Sequence, residues 1–470
     1  MKILNIKNII SSLVVVFLLG CSNEVLDDIN TNPNAPTDVP ISLLLPQATI
    51  STIYGVAGDG AGQYACFFVE HTTNVHLNVR DPEDVNDNIW SSTYSTLKDL
   101  QIIIEKGSVG GNEEGQYIAV GIAKILYAYS LSVATDYFGE MPHTEALKGS
   151  ENRTPAFDDQ ETIYEFLQQI LDEAIVDLDR ESIGDIEKID LIFQGDKEMW
   201  KKTAYALKAR FYNRLSNIDP QTSAQDALDA ASNAFASESE NFIFDGYFSG
   251  NTNDNPWNGW QEREDTYAVS ETFLNLVNSF NDPAYTDPRA DLWFSRIGGE
   301  FVGAPSGEAQ SDLTHVTYSA PTDMVLFDEA PQPMITYDEV KFIEAEAHLR
   351  LGNTTEANNA YEEAVVAACR RAGVTESDIS AYTSQGIVFP GSGNLTIDHI
   401  IGQKNISHWM FQSIEAYNDF RRTGIPQMNN PGGTPLRLPY PPTEISRNPN
   451  TPTNINNVTI YQTPVWWAVN

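Results

Sequence analysis

The chain has 470 residues, 41% of them hydrophobic and 20% charged, proportions that indicate a folded globular protein and exclude a largely disordered one. It contains 65 acidic and 28 basic residues, which gives a formal net charge of −37. This charge argues against nucleic acid as a partner and disfavours polyanionic substrates, because phosphates and sulfates are repelled. Three cysteines in a chain of this length cannot form a disulfide scaffold.

The N-terminus has the pattern of a bacterial lipoprotein signal. Lys2 and Lys7 precede an apolar run over 9–19, and the run ends in Leu18-Leu19-Gly20-Cys21, which matches a lipobox. An ordinary signal peptide or an N-terminal membrane helix is the alternative, but the apolar run is short for a membrane span. We therefore expect lipidation of the Cys21 thiol and attachment to a membrane through its acyl chains.

The rest of the chain divides by composition. We predict a signal peptide at 1–20, a polar lipidated leash at 21–40 and a single helical domain at 41–470. Within this domain, helical periodicity fails at about 242–334, where Gly, Asn, Pro, Asp and aromatic residues dominate. A long irregular stretch inside a compact protein is where a binding surface is expected.

Apolar residues recur at helical spacing through much of the domain. This periodicity predicts helices at 42–56, 90–104, 115–137, 160–179, 198–217, 224–236, 270–280 and 397–420. The helix at 115–137 is long enough to cross a bilayer, but its Ala, Ser and Tyr content and Lys124 favour burial among other helices. Glycines at 55, 58, 60 and 62 lack the dinucleotide-binding spacing, so they do not indicate a phosphate-binding loop.

The segment 338–373 predicts two helices joined by a tight turn. Ala345, Gly352, Ala357, Tyr361 and Ala364 follow each other at intervals of seven, five, four and three residues. Small residues at these intervals, with one aromatic residue, are typical of a tetratricopeptide hairpin. Because a single hairpin cannot bury its own apolar face, we expect further helices stacked against it and a mainly α fold.

Several short motifs in this order resemble the SusD/RagB family. They are the lipobox, Asn32-Pro33-Asn34, Leu43-Leu44-Leu45-Pro46, Asp136-Tyr137-Phe138-Gly139-Glu140-Met141-Pro142, the hairpin, Asn281-Asp282-Pro283, Asp287-Pro288-Arg289, Asp419-Phe420-Arg421-Arg422-Thr423-Gly424 and Leu438-Pro439-Tyr440-Pro441. The resemblance implies a mostly helical outer-membrane lipoprotein of Bacteroidetes that captures nutrients, usually glycans. It also implies a SusC-like TonB-dependent transporter as partner and four tetratricopeptide-like helix pairs. We expect neither enzymatic activity nor a cofactor.

Sugars bind to flat aromatic rings and to planar hydrogen-bonding groups, and the segment 251–263 contains both kinds. Trp257 and Trp260 predict either a stacking platform or an anchor for the loop, and we favour the platform. Asn258 and Arg263 are candidate partners for sugar hydroxyls, and Tyr267 is a candidate extension of the platform.

A second candidate wall of the site is the irregular passage 74–84. Its candidate ligand residues are His76, Asn78 and Asp81, against the alternative of a plain surface loop. Four other tryptophans occupy helical or family-patterned segments, and we interpret them as packing residues. They are Trp90, Trp200, Trp293 and Trp409. Cys66 and Cys369 stand in apolar surroundings and are predicted to be buried thiols.

Other chemistries have weaker support in the sequence. Asn251, Asn253, Asn255 and Glu262 have calcium-loop spacing, but Pro256 stands where such a loop needs glycine, so no metal site is predicted. A glycosidase requires two facing carboxylates, and a pair such as Asp254 with Glu262 remains an alternative. Arg421 and Arg422 beside Asp419 are interpreted as a structural salt-bridge cluster, with an anion site as the alternative.

From the resemblance and these residues together, we expect a surface glycan-binding lipoprotein that delivers oligosaccharide to its transporter. The acidic charge favours a neutral glycan, for example a β-glucan such as laminarin. The alternatives are a surface glycosidase, which would release products, and a binder of a non-sugar nutrient such as peptide.

Overall fold

The structure, a computed structural model, describes residues 38–58, 60–74, 85–250, 253–264, 267–282, 285–307 and 314–469, without the side chains of 260, 262–264, 314 and 315. The lipobox cysteine Cys21 lies outside these residues. From Ile41 onward the described residues belong to one compact unit.

The described part of the chain is mainly α-helical, which confirms the predicted fold class. In chain order the α-helices are α1 (Ile41–Ile50), α2 (Ala61–Phe68), α3 (Asn86–Gly107), α4 (Tyr117–Phe138), α5 (Gln160–Leu178), α6 (Lys197–Arg214), α7 (Pro220–Ala231), α8 (Pro256–Glu264), α9 (Glu271–Ser279), α10 (Pro288–Trp293), α11 (Thr314–Thr317), α12 (Tyr337–Arg350), α13 (Thr354–Arg371), α14 (Glu376–Thr383), α15 (Ile397–Ser407), α16 (Ser413–Thr423) and α17 (Pro442–Arg447). A π-helical turn, Ser51–Gly58, follows α1.

The scaffold is a series of helices in which each packs on the next. α3 packs on α4, α4 on α5, α5 on α6, α6 on α7, α7 on α12 and α12 on α13. The hairpin predicted at 338–373 is confirmed as α12 and α13, and Ala345, Ala357, Tyr361 and Ala364 have no exposed surface. Gly352 closes its turn with φ of 79°, a conformation that side chains with a Cβ disfavour.

Helix α4 is surrounded by other parts of the protein over most of its length. It and the segment Ile41–Phe68 are long and apolar enough to cross a membrane, but 89% of the α4 window is buried inside the protein. The prediction that α4 is a core helix is therefore confirmed.

The predicted helix 397–420 is wrong in one respect, because the chain breaks it into α15 and α16. Met410 adopts φ of 62° between them, and its N–H donates to Nδ1 of His71 at 3.2 Å. Trp409 leaves the helical path and stacks on Trp293, with ring centroids 5.2 Å apart. Tertiary contacts therefore interrupt a segment whose own sequence favours helix.

Buried charges join α12, α15 and α16. Arg422 pairs with Glu346 and with Asp419, and Lys404 also pairs with Asp419 at 2.9 Å. Each of these side chains is at most 4% exposed. The interpretation of Arg422 and Asp419 as part of a structural cluster is confirmed.

Among the described residues there are two small antiparallel sheets, and each includes a strand from 242–334, the loop-rich part of the chain. β1 (Thr72–Asn74) pairs with β3 (Tyr267–Val269), and β2 (Phe242–Phe244) pairs with β4 (Gln332–Ile335). A hydrophobic cluster separate from that of the helical scaffold packs around β3, and it contains Trp257, Tyr267, Trp293 and Trp409. The buried apolar residues of β2 and β4 belong to the scaffold cluster.

Candidate functional site

The β1–β3 sheet brings the two predicted binding segments to one place. The strands are antiparallel, and Asn74, the last residue of β1, pairs with Tyr267, the first residue of β3. The chain therefore enters 75–84 and leaves 253–266 at the same end of this sheet. A pairing between residues so distant in sequence is not visible in local periodicity.

Trp257 does not form a stacking platform in this structure, which corrects the prediction for this residue. Its side chain has no exposed surface and packs edge-on against Phe411, with ring centroids 5.6 Å apart. Tyr267 is 1% exposed and lies between Trp257 and Phe67, at 6.0 and 5.9 Å from their rings. A sugar cannot reach either ring, so Trp257 is the loop anchor that the sequence left as the alternative, and Tyr267 supports it.

Glycines beneath α8 explain how so large a side chain is accommodated. A Cβ on Gly62 would lie 2.9 Å from Trp257 Cζ2 and 2.5 Å from the Ala57 carbonyl oxygen. A Cβ on Gly58 would lie 3.3 Å from Pro256. The glycines of this region therefore permit close packing of α8 on the π-helical turn and α2.

The polar residues of the same segment hold α8 to the loop that precedes β4. Asn258 is 6% exposed and donates from Nδ2 to Asp328 Oδ1 at 2.9 Å, which corrects its prediction as a partner of sugar hydroxyls. Asn255 donates to the Ala330 carbonyl oxygen at 2.7 Å and accepts from the Trp257 N–H at 2.9 Å. These contacts explain a polar composition that sequence reasoning assigned to a ligand.

The remaining predicted ligand residues are not tested by the structure. His76, Asn78 and Asp81 lie outside the described residues, and the side chains of Trp260 and Arg263 are not described. Their assignment stays a prediction, supported by the sheet pairing, because 75–84 begins and 253–266 ends at the same end of the β1–β3 sheet.

An aromatic cavity of about 220 Å³ lies next to the loop that holds α8. Its wall includes Trp293, Trp409, Phe411, Phe327 and Met324, together with Arg371. Trp293 and Trp409 are 9% and 4% exposed, so only small parts of these rings are accessible, whereas Met324 is 69% exposed at the rim. Sequence reasoning assigned both tryptophans to packing and missed that they also border a cavity, because their approach depends on the break between α15 and α16.

Arg371 is the cationic side chain in that wall, and its partners fix its orientation. Nε and Nη2 donate to the two carboxylate oxygens of Asp338 at 3.0 and 2.9 Å, and Nη2 also donates to the Ser407 carbonyl oxygen. Burial raises the pKa of Asp338, but the guanidinium outweighs it and holds that pKa below its usual value. The pair is therefore ionised and electrically balanced at neutral pH.

The buried nucleophiles and bases near the site are poorly suited to catalysis. Burial raises the pKa of the Cys66 thiol to about 11, and burial lowers the pKa of His71 to about 3. Cys369 is also buried, which confirms both predictions of buried free thiols. Among the described residues, no group of three or more His, Cys, Asp or Glu side chains is placed to hold a metal ion.

A SusD-like family profile, described as "Starch-binding associating with outer membrane", matches residues 33–441. The chain belongs to the SusD-like family. No curated protein sequence matches it significantly.

Solved structures of SusD-like proteins agree with this assignment. A SusD/RagB family protein from Bacteroides thetaiotaomicron is 27% identical, with a TM-score of 0.82 and coverage of 92% of this chain and 99% of the other. A SusD homologue from Parabacteroides distasonis is 20% identical, with a TM-score of 0.76 and coverage of 91% and 98%. A chitin-binding SusD homologue from Flavobacterium johnsoniae is 20% identical, with a TM-score of 0.75 and coverage of 91% and 99%. At 20% identity, the similarities to the Parabacteroides distasonis and Flavobacterium johnsoniae proteins show a shared fold.

The resemblance inferred from the motifs of this SusD-like protein is therefore confirmed, together with its helical architecture. Its family is one of glycan-binding proteins associated with the outer membrane. The particular glycan, the transporter and the residues that contact the ligand belong to the proposal below.

Proposed function

We propose that this protein captures a neutral glycan at the cell surface and delivers it to a SusC-like TonB-dependent transporter in the outer membrane. The observation that carries the proposal is the match to the starch-binding, outer-membrane-associated family over 33–441. The net charge of −37 supports a neutral ligand rather than a polyanionic one.

The proposed site lies in the loop-rich part, at the end of the β1–β3 sheet marked by Asn74 and Tyr267. Because Trp257 is buried, we propose Trp260 as the stacking residue, and we propose Arg263, His76, Asn78 and Asp81 as partners of the sugar hydroxyls. Aromatic stacking contributes about 1 kcal/mol per ring, so we expect single sites with micromolar or weaker affinity. Tethering through Cys21 beside a transporter raises the effective ligand concentration, and weak binding permits release.

Binding without catalysis is proposed for this site. The alternative of a glycosidase with Asp254 and Glu262 as its carboxylates predicts new reducing ends during incubation with a glycan. The alternative of a peptide ligand predicts binding that persists when Trp260 is removed.

The experiment is calorimetry with the soluble form, starting after Cys21, against laminarin, other neutral polysaccharides, acidic polysaccharides and a peptide mixture. Trp260→Ala and Arg263→Ala are the test variants, and Tyr461→Ala, in an aromatic residue that is 37% exposed near the C-terminus, is the matched control. We expect binding to a neutral glycan that Trp260→Ala reduces about fivefold, the equivalent of about 1 kcal/mol for one stacked ring, and that Tyr461→Ala retains. Absence of glycan binding, or new reducing ends, overturns the proposal.

The membrane attachment has its own test. Cys21→Ser removes the thiol that receives the lipid, so we expect the protein to move from the membrane fraction to the soluble fraction. Co-purification of the wild-type protein with the co-expressed transporter tests the partner. Retention of Cys21→Ser in the membrane contradicts the lipid anchor.

A further inference from the structure

The aromatic cavity beside α8 has a restricted chemical character. Most of its wall is apolar, and it includes Trp293, Trp409, Phe411, Phe327 and Met324. Among the described residues, no aspartate or glutamate lines it, although acidic residues number 65 in the chain. Sugar hydroxyls that enter the cavity as donors therefore find no carboxylate to accept them.

The cavity wall does contain one cationic side chain among the described residues, Arg371, and its partners fix its orientation. Nε and Nη2 of Arg371 are engaged by Asp338 and Ser407, whereas Nη1 has no hydrogen-bond partner among the described residues. Since Asp338 already balances the positive charge of Arg371, this donor suits a neutral acceptor better than a second carboxylate.

An acetyl group matches both parts of the cavity wall. Its methyl group is apolar, like most of the wall, and its carbonyl oxygen can accept a hydrogen bond from Arg371. We propose that this cavity binds the acetyl group of an acetylated neutral glycan, with the methyl against the aromatic wall and the carbonyl oxygen facing Arg371. The proposal rests on the proposed function and specifies its ligand class. It moves the expected ligand away from an unsubstituted β-glucan such as laminarin.

Acetyl groups reach a glycan in two ways, as the N-acetyl group of an amino sugar or as an O-acetyl ester. Two matched pairs of neutral probes distinguish them. Chitotetraose is compared with cellotetraose, which has a hydroxyl where the former has an acetamido group, and acetylated xylo-oligosaccharide is compared with the same material after alkaline deacetylation. The difference in affinity within each pair, measured by calorimetry, gives the contribution of the acetyl group to the binding free energy.

Ala372 lies in the cavity wall at the end of α13, and a larger side chain there fills the space. Ala372→Leu is the test variant, and Ala236→Leu at an exposed position outside the cavity is the matched control. We expect the acetylated member of one pair to bind at least tenfold more tightly, about 1.4 kcal/mol. Ala372→Leu should abolish this preference, and Ala236→Leu should preserve it.

Equal affinity within both pairs overturns the proposal, and so does a preference that survives in Ala372→Leu. If the acetyl preference fails while some neutral glycan still binds, the proposed function stands and only the cavity assignment falls. If no glycan in either panel binds, the proposed function itself falls.

Discussion

Replacing Trp257 by alanine separates its two sequence-based interpretations. A stacking platform predicts loss of ligand binding with normal stability, whereas a loop anchor predicts loss of stability. The side chain has no exposed surface, and its ring lies 6.0 Å from that of Tyr267 and 5.6 Å from that of Phe411. The structure therefore predicts that Trp257→Ala destabilises the fold.

The magnitude follows from the area that the ring buries. A tryptophan side chain buries about 150–250 Å², which at about 25 cal/mol per Å² corresponds to roughly 4–6 kcal/mol. Measured truncations of buried Phe and Trp cost about 3–5 kcal/mol. We expect Trp257→Ala to lower the free energy of unfolding by about 4 kcal/mol, and Trp257→Phe to lower it by less.

Urea unfolding followed by circular dichroism measures this loss as a shift of the midpoint. Phe248→Ala is the matched control, because this aromatic side chain is 57% exposed in the same part of the chain. We expect the control to unfold within about 0.5 kcal/mol of the wild type. The reasoning is refuted if Trp257→Ala does the same, since a buried anchor cannot be removed without cost.

Three further predictions concern other buried positions. Burial lowers the pKa of His71 to about 3 from about 6.5 in the unfolded chain, so the free energy of unfolding should decrease as pH falls from 6.5 toward 3. Urea unfolding between pH 7 and 4 should show a weaker dependence of this free energy on pH for His71→Gln than for the wild type. An unchanged pH dependence contradicts the prediction. Arg422→Met removes a partner of the buried carboxylates Glu346 and Asp419 and should lower the free energy of unfolding by about 3–5 kcal/mol, measured by thermal unfolding. Arg370→Met is the control, because the Arg370 side chain is 44% exposed, and it should change thermal unfolding little. Gly62→Ala places a Cβ 2.5 Å from a backbone oxygen and should lower the free energy of unfolding by about 1–3 kcal/mol, measured by thermal unfolding. Gly386→Ala is the control, because its Cβ would have no atom within 4 Å, and it should leave thermal unfolding unchanged.

The helical scaffold was predictable because its signals are local. The small residues at 345, 357 and 364 and the aromatic Tyr361 mark a hairpin within one stretch of sequence, and the structure buries all of them. The apolar helix α4 was likewise recognisable from its own composition. Such features depend on neighbours three to seven residues away.

The site was less predictable because its contacts are distant in sequence. Asn258 resembles a ligand-binding residue until its partner Asp328, 70 residues away, is known. The burial of Trp257 depends on Gly62, and the break before α16 depends on His71. Local polarity therefore predicted a binding surface at Trp257 and Asn258, where the molecule has an anchor.

The pairing of Asn74 with Tyr267 also bears on how this protein can be modified. It fixes the point at which 75–84 begins, and Val85, at the N-terminus of α3, fixes the point at which that segment ends. A segment whose two ends are fixed by other structure can become longer with little loss of stability, since each doubling of its length adds only about 0.6 kcal/mol of loop-closure entropy. Insertions or exchanges within 75–84 should therefore leave the helical scaffold folded, which thermal unfolding of such variants measures.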